Sequence, residues 1–195
     1  MRYPDIKALV LAGGESVRMG TDKGDLIYHK KAQKFHVADM LNSLGLETYI
    51  SVKDAIEPHD AYVFLPDNYC SIGPMGGILT AFENDCTAWL IIGCDYPLLE
   101  KSQIEKLLQA RNKSNNATVY QNKISGHLIP TLAIYEPKIY PLLKKAQTLG
   151  NYSLSRVLQN NSANFVEASC CGFESIDTPE AQHKIIKIIN EQYRQ

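Results

Sequence analysis

Residues 6–12 (IKALVLA) are apolar at every position but Lys7, and they run directly into Gly13-Gly14. A run this short, β-branched and aliphatic, and closed by glycine, reads as a strand covered on both faces. No other segment constrains the chain as much. A strand buried on both sides needs neighbours on either hand and helices above and below the sheet. Similar runs recur at 48–52 (TYISV), 62–65 (YVFL), 88–94 (AWLIIGC), 117–121, 131–135 and 165–168. Helical segments fall between them. Residues 33–44 place Phe35, Ala38, Leu41 and Leu44 on one face, with Gly45 marking the end. A short helix is expected at 78–83, another at 153–159, and one running to 110 from a capping box of Ser102 and Glu105. Thr178, Pro179 and Glu180 supply the cap, first-turn proline and acidic start of a last helix reaching about 193. The alternation predicts an α/β fold: one domain over residues 1–195, a three-layer sandwich with a mostly parallel central sheet. No repeat, linker or low-complexity stretch interrupts it.

Composition removes several function classes. The chain has 195 residues, 45% hydrophobic and 21% charged, a balance that excludes disorder and fibrous repeats. Lys+Arg number 20 against 21 Asp+Glu, so the net charge is −1 and no basic excess exists for bulk nucleic-acid binding. The longest apolar runs fit strands and fall far short of a signal core or a bilayer span, so no membrane association is expected. The five cysteines (Cys70, Cys86, Cys94, Cys170 and Cys171) are odd in number and contain no C-x-x-C pair. They read as free thiols in a reducing cytoplasm. Cys94, inside an apolar run, reads as a small core residue. The five histidines (His29, His36, His59, His127, His183) form no metal or triad pattern; His29 and His36 read as surface or helix-face residues, and no G-x-S-x-G elbow exists.

In open α/β sheets the ligand sits beyond the carboxyl ends of the strands. Two features are placed there. The first is the loop after Ala12, which carries Gly13, Gly14, Arg18 and Lys23. Glycines let backbone N–H groups approach a phosphate, and two cations in the same loop favour an anion over a plain turn. The spacing is neither a Walker loop nor a dinucleotide fingerprint. The second is Asp95, which ends the run 88–94 just before Pro97. Alone, it is a turn-capping carboxylate. Beside a phosphate loop it becomes a candidate Mg²⁺ ligand. The segment Gly73-Pro74-Met75-Gly76-Gly77 is either an ordinary turn before a helix or a platform for a base, and Asp177 is either a capping carboxylate or a second metal ligand.

With these residues in view, a family resemblance emerges. Residues 11–24 (LAGGESVRMGTDKG) closely resemble the L-A-G-G-x-S-x-R-M-G-x-D-K signature of the molybdenum cofactor guanylyltransferases, the molybdopterin-guanine dinucleotide synthesis protein A family of the nucleotidyltransferase superfamily. Further along, Gly73 to Gly77 is similar to the family's G-P-L-A-G loop, Cys94 to Pro97 to its C-D-x-P, Pro130 to Ala133 to its P-T-x-A strand, and Ile176 to Glu180 to its N-x-N-T-P-E segment. The resemblance implies a Rossmann-like fold, GTP and Mg²⁺, and transfer of GMP to the terminal phosphate of molybdopterin with release of pyrophosphate. It implies nucleotide contacts from Leu11, Ala12, Gly13 and Gly14, phosphate contacts from Lys23 with Arg18 assisting, guanosine contacts near Asp67, Gly73 and Pro74, and metal ligation by Asp95 and Asp177. Ser51 stands where the family carries Asn at a nucleoside contact. Transient contact with cofactor-synthesis or molybdoenzyme partners is also implied. The alternatives are a relative that uses CTP or acts on a sugar phosphate, and a non-catalytic nucleotide-binding protein.

Overall fold

The computed structural model describes residues 3–12, 23–54, 57, 59–69, 71–168, 173 and 179–192. Its strands are β1 (Ile6–Leu11), β2 (Glu47–Val52), β3 (Val63–Pro66), β4 (Ala88–Gly93), β5 (Ala117–Asn122), β6 (Leu128–Tyr135) and β7 (Ala163–Ala168). They form one seven-stranded sheet in the order β3-β2-β1-β4-β6-β5-β7. Strands β3, β2, β1 and β4 pair in parallel; β6 runs antiparallel to both β4 and β5, and β7 returns parallel to β5. The sheet is thus mostly parallel, as the alternation requires. The chain winds outward from β1 to β2 and β3, then crosses to β4 on the other side. The gap between the carboxyl ends of β1 and β4 is therefore the topological switch point.

The strand period of two divides the core into two layers. On one face Ala8, Val10, Leu90 and Ile92 pack with Val37 and Leu41 of α1 (Gln33–Ser43) and with Ile104 and Leu107 of α3 (Lys101–Gln109). On the other, Leu9, Trp89 and Ile91 pack with Ile78 and Leu79 of α2 (Pro74–Asn84), Leu143 of α4 (Tyr140–Thr148), and Leu154 and Leu158 of α5 (Leu154–Gln159). Every residue of β4 is buried, the signature of a strand covered on both faces. The last helix, α6 (Pro179–Gln192), seats Ile185 and Ile189 against Tyr28 and Leu98. Among the described residues, no helix is long and apolar enough to cross a membrane.

Several boundaries differ from the sequence expectation, each for a local reason. Helix α2 begins at Pro74 rather than at 78, so the glycines at 76 and 77 are helical. Its N-cap, Gly73, has φ 62° and ψ −150°, a conformation open essentially to glycine alone. The capping box of α3 is formed two residues earlier than expected, by Glu100 and Gln103, whose side chains exchange bonds with each other's backbone N–H. Helix α4 was not anticipated: only Leu143 and Ala146 of its nine residues are buried, too few to print a period. Strand β6 begins at Leu128, and an irregularity between Val119 and Tyr120 absorbs the extra length.

Candidate active site

The parallel strands remain tied to one another just past their ends. Ala12 N donates to the Ser51 carbonyl (3.2 Å), Cys94 N to the Leu11 carbonyl (3.3 Å), and Asp67 N to the Val52 carbonyl (2.8 Å). In register, Leu11 lies opposite both Ser51 and Gly93. The carboxyl edge of β3, β2, β1 and β4 therefore presents Asp67, Ser51, Ala12 and Asp95 in that spatial order. Residues 11 and 12 and Asp95 leave adjacent strands at the switch point, which is the juxtaposition the sequence reading needs.

Asp95 is seated closely. A Cβ built on Gly93 would collide with Asp95 Oδ1 and stand 3.3 Å from Thr131 Cβ, so the carboxylate folds back over the bare α-carbon beside β6. The turn that carries it is held from three sides. The Tyr96 hydroxyl and Thr131 Oγ1 share a hydrogen bond of 2.9 Å. Gln33 Nε2, at the start of α1, donates to the Tyr96 carbonyl at 3.5 Å. His29 Nε2 lies 2.7 Å from the Pro97 carbonyl, where it acts as donor. His29 in turn stacks on His36, with ring centroids 4.0 Å apart. Burial, together with the neighbouring His29, pushes His36 down to about 4, so it is neutral at physiological pH. His36 thus lies on the face of α1, as expected, and through His29 the pair also supports the strand-end turn.

On the other side of β1, α2 enters close to the sheet. A Cβ on Gly77 would stand 2.8 Å from both Leu11 Cδ2 and Ser51 Oγ, and one on Gly76 would stand 2.8 Å from Asp67 Oδ2. Both glycines are therefore used for close helix–sheet approach. Ser51 is only 2% exposed, so its hydroxyl lies beneath α2. Asp67 Oδ1 accepts hydrogen bonds from Tyr69 N (2.9 Å) and from Thr80 Oγ1 (3.0 Å), while Thr80 Oγ1 accepts from Asn68 N (2.9 Å). Among the described residues no cation pairs with this carboxylate, and burial raises it above the ordinary carboxylate range.

Of the candidate residues, the fold gathers Leu11, Ala12, Ser51, Asp67, Gly73, Pro74 and Asp95 along one sheet edge and the first turn of α2. Gly13, Gly14, Arg18 and Asp177 lie outside the described residues. Lys23 begins a 3-10 turn (Lys23–Asp25) that Asp25 ties to α1 through Lys34 at 2.6 Å. His127, in the β5–β6 turn, is exposed. Sequence reasoning noted Thr131 only as part of a strand motif and passed over Gly93, Tyr96 and Gln33 as site residues. A polar Gln at the head of an apolar helix face was the available signal for Gln33, whose side chain is buried.

Asp95 offers hard oxygen donors, and among the described residues no group of three His, Cys, Asp or Glu could cage a metal alone. Mg²⁺ is commonly held by one or two carboxylates plus substrate phosphates, and keeps several waters. The donor set fits a Mg²⁺ that arrives with a nucleotide.

A mostly parallel α/β sheet with a carboxylate and a strand-to-loop exit side by side at its switch point defines an open α/β domain with its ligand crevice at that edge. Residues 8–165 match the MobA-like NTP transferase domain, and the chain belongs to this nucleotidyltransferase family. It is 30% identical over 177 residues to the Molybdenum cofactor biosynthesis bifunctional protein of Synechocystis, covering 88% of this chain but 51% of that one. The chain therefore spans about half the length of that relative. It is also 30% identical over 144 residues to a Probable molybdenum cofactor guanylyltransferase of Flavobacterium johnsoniae, covering 72% of this chain and 74% of the relative. The crystal structure of Molybdopterin-guanine dinucleotide biosynthesis protein A from Archaeoglobus fulgidus superposes with a TM-score of 0.79 at 18% identity, covering 95% of this chain and 99% of that one.

Proposed function

We propose that this protein transfers GMP from GTP to the terminal phosphate of molybdopterin, with or without bound molybdenum. A phosphate oxygen of the acceptor attacks the α-phosphorus in line; the new P–O bond forms as the α–β anhydride bond breaks, and pyrophosphate leaves. The acceptor's monoester oxygens are already largely anionic near neutral pH, with a second pKa of about 6, so no strong general base is needed. Positioning and charge stabilisation account for the rate. The backbone at Leu11, Ala12, Gly13 and Gly14 grips the nucleotide, Lys23 neutralises its phosphates, and Arg18 stabilises the leaving pyrophosphate. Asp67, Ser51, Gly73 and Pro74 form the guanosine side. Asp95, together with Asp177, would hold Mg²⁺, which would offset phosphate charge.

The observation that carries this reading is the adjacency of the β1 and β4 ends at the switch point, where Leu11 is in register with Gly93 and its carbonyl accepts from Cys94 N, one residue before Asp95. The similarity to a probable molybdenum cofactor guanylyltransferase supports the choice of guanine, and the similarity to both molybdenum cofactor relatives supports the acceptor. The test is pyrophosphate release with molybdopterin as acceptor and GTP, CTP or UTP as donor. Turnover with GTP far above the other two is expected. Preference for CTP, or turnover only with sugar phosphates, overturns the substrate assignment. Tight GTP binding without product overturns the transferase reading.

A further inference from the structure

We infer that Gly93 and Thr131 form a seat that sets the position of the Asp95 carboxylate, so that both are positioning residues for metal–nucleotide binding; this rests on the reading of Asp95 as a Mg²⁺ ligand. Gly93 closes β4 and is paired in ordinary strand fashion with Leu11, without a positive φ. Its lack of a side chain is therefore not a backbone requirement. What the missing Cβ provides is room: Asp95 Oδ1 stands nearer to where that atom would be than the 3.0 Å that real Cβ atoms keep.

The obstructed atom is the tip of a side chain, so an added methyl displaces the carboxylate rather than the strand. That separates position from stability, because alanine in a strand interior is otherwise no worse than glycine. Thr131 forms the wall on the β6 side. Its Cβ and Oγ1 lie 3.3 and 3.4 Å from the same point. Its hydroxyl also fixes Tyr96, the residue after Asp95, at 2.9 Å. The carboxylate thus lies over a bare α-carbon whose free side Thr131 also approaches, and its turn is anchored at the next residue. Outer-shell partners of this kind typically contribute about 10- to 100-fold in metal affinity.

The test uses the full chain and Mn²⁺·GTP as probe, followed by enhancement of water-proton relaxation, with Asp95→Ala as reference. Gly93→Ala is expected to melt close to the wild type and to bind Mn²⁺·GTP about 10- to 100-fold more weakly. Thr131→Val is expected to behave the same way, and Thr131→Ser to recover binding, since it keeps the hydroxyl that Tyr96 uses. A parallel rise in the Mg²⁺ concentration needed for half-maximal turnover is expected, a change that mere loosening of the fold would not produce. Wild-type Mn²⁺·GTP binding by Gly93→Ala, with Asp95→Ala impaired, overturns the seat. Unimpaired binding by Asp95→Ala overturns both the seat and the metal role of Asp95. If Gly93→Ala loses binding while the wild type transfers nothing to molybdopterin, the seat stands and the acceptor assignment falls.

Discussion

The two edges of the sheet are built on opposite electrostatic plans. At the amino edge every strand-end charge named here is paired. Lys7 bridges Asp85 (2.8 Å) and Glu47 (3.1 Å) across β4, β1 and β2. Arg111 grips Glu136 with two hydrogen bonds (2.7 and 2.9 Å) and reaches Asp5 at 3.2 Å, and Asp5 also pairs with Lys113. Glu136 joins this edge because β6 runs antiparallel and delivers its carboxyl end there. The carboxyl edge instead carries Asp67, which no described cation neutralises, and Asp95, seated against Gly93 and Thr131. At this edge Gly76 and Gly77 let α2 approach Asp67 and Ser51 closely. One edge ties its charges together across strands; at the other, the Asp67 carboxylate is held by hydrogen bonds from Tyr69 N and Thr80 without a described cation.

Three experiments would break or sharpen this contrast. Removing Glu136 as Glu136→Ala leaves Arg111 in a largely buried place with only Asp5 for compensation. Breaking a buried pair costs about 3–5 kcal/mol, and the remaining Asp5 contact places this variant at the lower end. Urea unfolding should show that loss, while turnover per folded molecule stays at the wild-type level; a large fall in turnover would erase the distinction between the edges. Asp95→Ala should reverse the pattern. Turnover should fall about 10²- to 10³-fold, or roughly 2.7–4 kcal/mol of transition-state stabilisation, with little change in melting. Wild-type turnover at saturating magnesium would remove Asp95 from the chemistry.

The third effect is smaller and concerns acid. His36 is held at about 4 against an ordinary 6.5, so the unfolded chain takes up its proton first as pH falls. The stabilisation is complete above pH 6.5 and is lost progressively toward pH 4. Asp5 and Glu47, both held below the ordinary carboxylate range by hydrogen bonds, add losses at still lower pH. Urea midpoints between pH 7 and 4.5 should therefore decline in the wild type and decline less in His36→Gln. Equal slopes in the two proteins would show that the stacked pair does not govern this limb.

Much of the architecture was legible before any coordinates. Runs such as 88–94 announce a strand buried on both faces, and β4 is buried at all six positions. The positions of Ala12 and Asp95 at strand ends follow from the same runs, so the site's two poles could be named in advance. Helix α4 could not, since a helix with two buried residues leaves no periodic trace. The glycines of residues 73–77 were legible as special but not as helical. The expected loop is the first turn of α2, because Gly73 alone takes the unusual backbone angles, and Gly76 and Gly77 serve contact instead.

Local patterning and the strand-end motif thus point to the fold class and the family and place Ala12 and Asp95 at strand ends, because periodicity and backbone chemistry act over a few neighbouring residues. Which side chains support Asp95 is a different kind of fact. Gly93 and Thr131 are 38 positions apart in the chain, and Gln33 and His29 come from yet another segment. Only the antiparallel placement of β6 beside β4, and the packing of α1 against β1 and β2, bring these groups within van der Waals and hydrogen-bond range, since such contacts depend on distances of a few ångströms in space and not on separation along the sequence.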